Sequence, residues 1–373
     1  MTRMRTAALA CLAGLFLGTQ SGQADPPRDV RAQFAEAMAL HASAPQDGIA
    51  ALLALAQAGY GRALDRLAYF HLTGQSVPRD PHAARALYAE AVAAGHSRSL
   101  VSLAKVEMTL GAFAEAQTTL DLARAARDAR AEPTLAWAHA TGRLGPRSDP
   151  AAGLARLRSL AAENNREAQL LVPAALISNP AAPGLSAPLR DRLEDRAAQG
   201  DARAAEALLR YLRLRADPTG TPEARVALLE TPGLRPKIRI EEALHLAAVQ
   251  QARRFWRAAE EIVATAPPAV LPRALVVTAR LNRNAYLRLL QKELDALGYD
   301  TGAPSPYLRA PLIRAINRFC RDRDIALACK PGPLKSTTIK ALAAELGTAR
   351  AETTPAVRPQ DHQERGDGRP GRT

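Results

Sequence analysis

Aromatic side chains are scarce in this chain: Phe, Trp and Tyr make up 4% of its 373 residues. β-Branched runs are few as well, while alanine and leucine recur throughout. That balance argues against an all-β sandwich or barrel and favours packed helices. Cysteine is almost missing, three residues in all, so no disulfide-dense scaffold can be built. Beyond one short N-terminal run, no stretch approaches the roughly 20 apolar residues that a membrane-spanning helix needs. Catalytic signatures are missing too. There is no His-Glu-x-x-His, no Gly-x-Ser-x-Gly and no Gly-rich phosphate loop with its lysine. The seven histidines lack metal-ligand spacing, so the sequence predicts no catalytic residue, no metal and no cofactor. The pairs Glu241-Glu242 and Glu260-Glu261 are adjacent on helices and read as solvated faces.

What the chain does have is positive charge, 50 Lys+Arg against 37 Asp+Glu, a net +13. It also has an address. Arg3 and Arg5 precede an apolar run from Ala7 to Gly18, and Gly22-Gln23-Ala24 supplies small residues for cleavage. Residues 1–24 therefore read as a secretory signal peptide, cut near Ala24-Asp25, and the mature chain is expected in the periplasm with no transmembrane segment. Cys11 leaves with the leader. Cys320 and Cys329 remain, an even pair close in sequence in an exported protein, and so a disulfide candidate.

Residues 25–279 read as a helical repeat region, with the repeat clearest over 60–160, weaker to 215 and only helical in character beyond. His71-Leu72-Thr73-Gly74, then Pro78-Arg79-Asp80-Pro81 and Ala83-Ala84, returns as His139-Ala140-Thr141-Gly142, then Pro146-Arg147-Ser148-Asp149-Pro150 and Ala151-Ala152. Shorter punctuation at Arg62, Arg98, Arg166 and Arg203 sets a period near 34–36 residues, the size of one helical hairpin. Within one unit, Ala63, Leu64, Leu67, Ala68 and Phe70 mark a buried helix face, and Gly74 a C-cap. Asp80 before Pro81 marks the next N-cap, with Ala84, Leu87, Tyr88, Ala91 and Val92 inward and Gly95 at the end. His71 and His139, at equal positions, read as structural residues at a helix end. On these residues the chain resembles the Sel-one-like repeat family, relatives of the tetratricopeptide repeats. The resemblance implies an all-α, α-α superhelical solenoid that binds a protein partner and does no chemistry.

A different organisation is expected over 280–347. Tyr286, Leu289, Leu290, Leu294 and Leu297 share a face that ends at Gly298. A second helix carries Leu312, Ile313, Ile316 and Phe319 inward, and a third runs through Thr338, Ile339, Leu342 and Leu346. Leu290-Gln291, Leu297-Gly298-Tyr299, Ala315-Ile316, Phe319 and Gly332 resemble the peptidoglycan-binding domain-like family. That resemblance implies a small three-helix domain and peptidoglycan as a partner. Tyr307 and Arg309, in the turn before the second helix, are candidate ligand contacts on separate grounds, since a cluster of backbone amides and a guanidinium there suit a carboxylate of a wall peptide. The turn departs from the family pattern, with Ser305-Pro306-Tyr307-Leu308 in place of its glycine turns. This segment holds 12 basic and 6 acidic residues, with Arg309, Arg314, Arg318, Arg321 and Arg323 on or beside its second helix. Residues 348–373 are almost devoid of apolar side chains and read as a disordered tail.

Together these readings predict an exported non-enzymatic scaffold, its repeats holding an unidentified periplasmic protein and its C-terminal module meeting peptidoglycan. The rival readings are a regulatory subunit of a cell-wall hydrolase and a solenoid component of a polysaccharide-export assembly. Nucleic acid is a poor partner for such a chain, because no aromatic interleaving or recognition motif accompanies the charge.

Overall fold

The computed structural model describes residues 28–215 and 221–353. The expected signal peptide and cleavage site lie outside the described residues, as do residues 354–373 of the expected tail. Among the described residues there are 19 α-helices and no strand. The fold is all-α, of the helical-hairpin solenoid class. Its helices gather into two compact units, one reaching Arg156 and one beginning at Leu157.

The first unit contains α1 (Arg28–Ser43), α2 (Pro45–Gln57), α3 (Gly61–Thr73), α4 (Pro81–Ala93), α5 (Leu100–Leu110), α6 (Phe113–Ala125), α7 (Ala131–Ala140) and the start of α8 (Pro150–Ala162). Each helix from α1 to α7 packs against the next. In α3 the five apolar residues named above are all buried, with Ala63 and Ala68 at 0% exposure. Gly74 caps that helix in the left-handed region at φ 75°. The Asp80 side chain accepts from the backbone N–H groups of His82 and Ala83, and Pro81 occupies the first helical turn. His139 serves the repeat structurally, its Nδ1 accepting the Asp149 backbone N–H at 3.2 Å.

Backbones meet at one recurrent place. The fourth residue of the second helix in successive hairpins is Gly48, Ala84, Ala116 and Gly153. A Cβ on Gly48 would lie 2.3 Å from the Cα of His41, and one on Gly153 would lie 2.4 Å from the backbone nitrogen of Ala140. No side chain fits at either position.

The second unit continues with α9 (Arg166–Ser178), α10 (Ala187–Ala198), α11 (Ala202–Arg215), α12 (Pro222–Leu229), α13 (Pro236–Gln250), α14 (Phe255–Ala264), α15 (Leu271–Leu281) and α16 (Arg283–Ala296). It ends with α17 (Ala310–Asp322), the short α18 (Ala326–Cys329) and α19 (Ser336–Thr353). First helices stack on first helices, α9 on α11 and α13 on α15, while α14 packs on α16.

Three features of the C-terminal part differ from the sequence reading. The division expected at 279/280 falls inside the α15–α16 hairpin, joined through Asn282, whose side chain accepts the Ala285 N–H at 2.9 Å. One apolar core runs from Ile240 to Leu346, and α19 packs along α15. Ile313 points outward at 40% exposure, because Leu312, Ala315, Ile316, Phe319 and Cys320 take the buried face. The expected tail begins late: residues 348–353 complete α19, with Ala349 fully buried. Arg350 there pairs with Glu293 and donates to the carbonyls of Val263 and Ala266 at 3.3 and 3.2 Å. A composition rule could not see those long-range partners.

Cys320 and Cys329 are joined by a disulfide, with Cα atoms 6.4 Å apart. In the chain-entropy picture, closing so short a loop stabilises the fold by about 2.5 kcal/mol.

The shared core sets an expected outcome. Leu275→Ala in α15, truncating a side chain with 0% exposure, should cost about 2–5 kcal/mol. Hydrogen exchange should then quicken in α19 as well as in α15. Unchanged protection of α17 and α19 would show that residues 280–347 fold by themselves.

Candidate functional site

Successive repeats of the second unit are tied by guanidinium–carboxylate pairs that reach from one first helix to the next. Arg203 of α11 donates to both carboxylate oxygens of Glu167 in α9, at 3.0 and 2.9 Å. Arg235, at the head of α13, pairs with Glu206 of α11, its Nε 2.7 Å from Oε1. Arg273 of α15 grips Glu241 of α13 with two bonds of 2.8 Å. The partners stand 36, 29 and 32 residues apart, about one repeat.

Glu241 and Glu242 are buried, 8% and 1% exposed, which corrects their reading as a solvated face. Helical adjacency does point them in different directions. Glu241 meets Arg273 and Arg213, whereas Glu242 meets Arg213 at 2.9 Å and Arg225, whose Nε lies 2.6 Å away. Both carboxylates therefore find cations arriving from other helices. Burial pushes the Glu241 carboxyl up, but the hydrogen bonds and charge of Arg273, with Arg213 and His245, outweigh it and hold the group below the usual carboxylate range. His245 lies in the same neighbourhood. Desolvation, then the charges of Arg213, Arg225 and Arg273, lowers its pKa against the opposing pull of Glu241.

This network floors a cleft of about 290 Å³ between α9, α11 and α13. Leu171, Ala174, Ile177, Ala207 and Ile238 give it an apolar strip, with Arg203, Glu206, Arg210 and Arg235 along the strip. Arg210 is exposed and has no ion pair among the described residues. An apolar strip flanked by fixed charges suits an extended peptide segment, side chains on the strip and polar groups on the rim. The sequence marked the repeats but missed this cleft. The Arg–Glu spacing of one repeat was the available signal.

The residues singled out in the C-terminal part lie elsewhere. Tyr307 is 62% exposed, and its backbone N–H bonds Ser305 Oγ at 3.2 Å. The aromatic packed against the core there is the half-buried Tyr299, edge-on to Phe319 with ring centres 5.6 Å apart. Arg309 is exposed and immediately precedes α17; its carbonyl accepts the Ile313 N–H at 3.0 Å. Pro311 removes one donor from that helix start, so the amide cluster is thinner than the sequence suggested. Arg314, Arg318 and Arg321 face solvent, whereas Arg323 is engaged by Glu352 of α19. Beside the disulfide, a cleft of about 400 Å³ is lined by Leu308, Ile313, Arg321 and Lys330 among others. Among the described residues no group of three His, Cys, Asp or Glu side chains is placed to hold a metal ion.

No protein-family model matches the chain, and no curated protein is similar to it. A solved structure of a protective antigen present in uropathogenic Escherichia coli strains, displaying an SLR fold, aligns over 90% of this chain and 74% of that chain. Sequence identity is 13% and the TM-score 0.38, a likeness too slight to bear on fold or function.

Two outcomes follow from the network. Glu242→Ala strands the Arg225 guanidinium beside a vacant site, while Arg213 keeps Glu241, and should cost about 3–5 kcal/mol in denaturant unfolding. His245 acts through pH. Its folded pKa lies below its unfolded one, so its contribution to stability is present above the unfolded value, near 6.5, and is lost as pH falls further. Melting temperature should therefore drop below pH 6.5 more steeply in the wild type than in His245→Gln. Parallel curves between pH 6.5 and 5 would remove His245 from the account.

Proposed function

We propose that this chain is an exported, non-enzymatic scaffold whose repeats hold an extended segment of a periplasmic protein partner. The cleft between α9, α11 and α13 carries the reading, because it joins an apolar strip to Arg203 and Arg235, each held in fixed geometry by a glutamate. The perturbed acids fit a structural role. Glu107, pushed up by burial, accepts from Thr119 at 2.8 Å within the α5–α6 pair, and Glu241 is spent on Arg273 and Arg213. Export rests on the leader, with Asp25 the expected new N-terminus.

The C-terminal part, in the same reading, associates with peptidoglycan. Its resemblance to wall-binding domains supports this, together with the solvent-facing Arg309, Arg314, Arg318 and Arg321. Tyr307 and Arg309 are the contacts assigned to a carboxylate of a wall peptide, the guanidinium supplying a paired donor.

Both arms use the mature full-length chain. A photo-crosslinking residue at Ile238, in the cleft, should capture a protein in the cell, whereas one at Val249, 69% exposed on the same helix, should not. Equal or absent adducts would count against the cleft. Sedimentation with purified sacculi should retain the chain, and Arg309→Ala should weaken retention without lowering the melting temperature. Retention abolished by salt alone and indifferent to Arg309→Ala would mean nonspecific cation binding.

A further inference from the structure

Not every arginine that reaches a neighbouring helix meets a carboxylate. In the second unit, those reaching between first helices meet carboxylates. In the first, two arginines of α3 meet aromatic rings instead. The Arg62 guanidinium carbon lies 4.9 Å from the ring centre of Phe34 in α1. The Arg66 guanidinium carbon lies 5.5 Å from the Tyr69 ring and 5.3 Å from the Phe70 ring, and its Nε donates to Met38 Sδ at 3.3 Å. Among the described residues neither has a carboxylate within ion-pair distance. The acid nearest in sequence, Asp65, is engaged by Ser99 Oγ at 2.6 Å.

We propose that Arg62 and Arg66 form a recognition site for acidic side chains of a protein partner. The site rests on the scaffold reading and adds the partner's chemistry to it. A guanidinium laid over a ring keeps its in-plane N–H donors free, and the ring fixes its orientation before any ligand arrives. Arg66 is further held by Met38, which uses only Nε and leaves both terminal nitrogens to donate. A planar fork of that kind matches a carboxylate with two parallel bonds. The two arginines stand one helical turn apart on α3, about 6 Å between Cβ atoms, so two carboxylates of one acidic segment can be met together. Tyr69, 41% exposed, offers the segment an apolar ledge beside them. The uncompensated charge is positive on both, so an acidic segment is the complementary occupant.

The probe is a fluorescein-labelled hexaglutamate peptide, followed by fluorescence anisotropy with the mature full-length chain at low ionic strength. The wild type should bind it, and Arg66→Gln should weaken binding about tenfold, the usual scale for losing one charge-assisted pair. Arg62→Gln is the second variant, because its side chain is exposed and its loss leaves the packing around Phe70 intact. Arg314→Gln makes the same charge change on α17 and should leave binding within about twofold. Equal weakening by Arg314→Gln and Arg66→Gln would overturn the site, reducing it to net charge while the cleft and its partner stand. Absence of binding by the wild type would overturn it too. Crosslinking at Ile238 tests the scaffold reading separately.

Discussion

Close approach of helix backbones is the constraint on which the rest of this structure depends. The chain has few large aromatics, so it cannot fill wide gaps between helices. It compensates by bringing helices together over alanine and glycine, and dispersion then gains from many short contacts. Ala63, Ala68, Ala84, Ala91, Ala104, Ala116 and Ala123 are all at 0% exposure. Where even a methyl is too large, Gly48 and Gly153 stand at the equivalent place. A hairpin packed this way buries too little to be stable alone, so each unit needs its neighbour, which is the logic of a repeat array.

Alanine faces are smooth, and smooth faces specify register poorly. The Arg–Glu pairs between α9, α11, α13 and α15 answer that weakness. The buried pair Arg225–Glu242, which ties α12 to α13 in the same network, gains little net stability over an apolar substitute, because desolvation offsets most of the attraction. Its directional cost is large, however. A sliding movement of one helix past the next would part the charges and leave them buried. The pairs thus define where each helix must sit, and in doing so they hold the arginines that rim the cleft.

Much of the local structure was legible. Asp80-Pro81 announced a capped helix start and Gly74 a left-handed end, because those signals are chemical properties of single residues. The repeat register was read less well. The sequence motif sets Ala83-Ala84 against Ala151-Ala152, whereas the helices align Ala84 with Gly153, the residue that meets the α7 backbone. Glu241 and Glu242 escaped for a different reason. Their partners arrive from 17 to 32 residues away, and periodicity within one helix carries no record of them. The same holds for the last turns of α19, which low apolar content argued against and which Arg350, Arg323 and Ala349 tie down. The C-terminal helices were found, but not their core, because α15 and α16 contribute apolar residues to both sides of the expected boundary.

A net charge of +13 says little until it is placed. In the second unit's repeats, Arg203, Arg213, Arg225, Arg235 and Arg273 are spent on glutamates, so their charge is largely invisible from a distance. On α17, by contrast, Arg314 and Arg321 face water with no ion pair among the described residues, and Arg318 has only Asp322 at 3.9 Å. Unpaired charge therefore stands out on α17, and paired charge between the first helices that carry the cleft. Such a division suits the two roles proposed above. Long-range attraction to an anionic surface needs uncompensated cations, while selection of one peptide segment needs cations whose positions are already fixed.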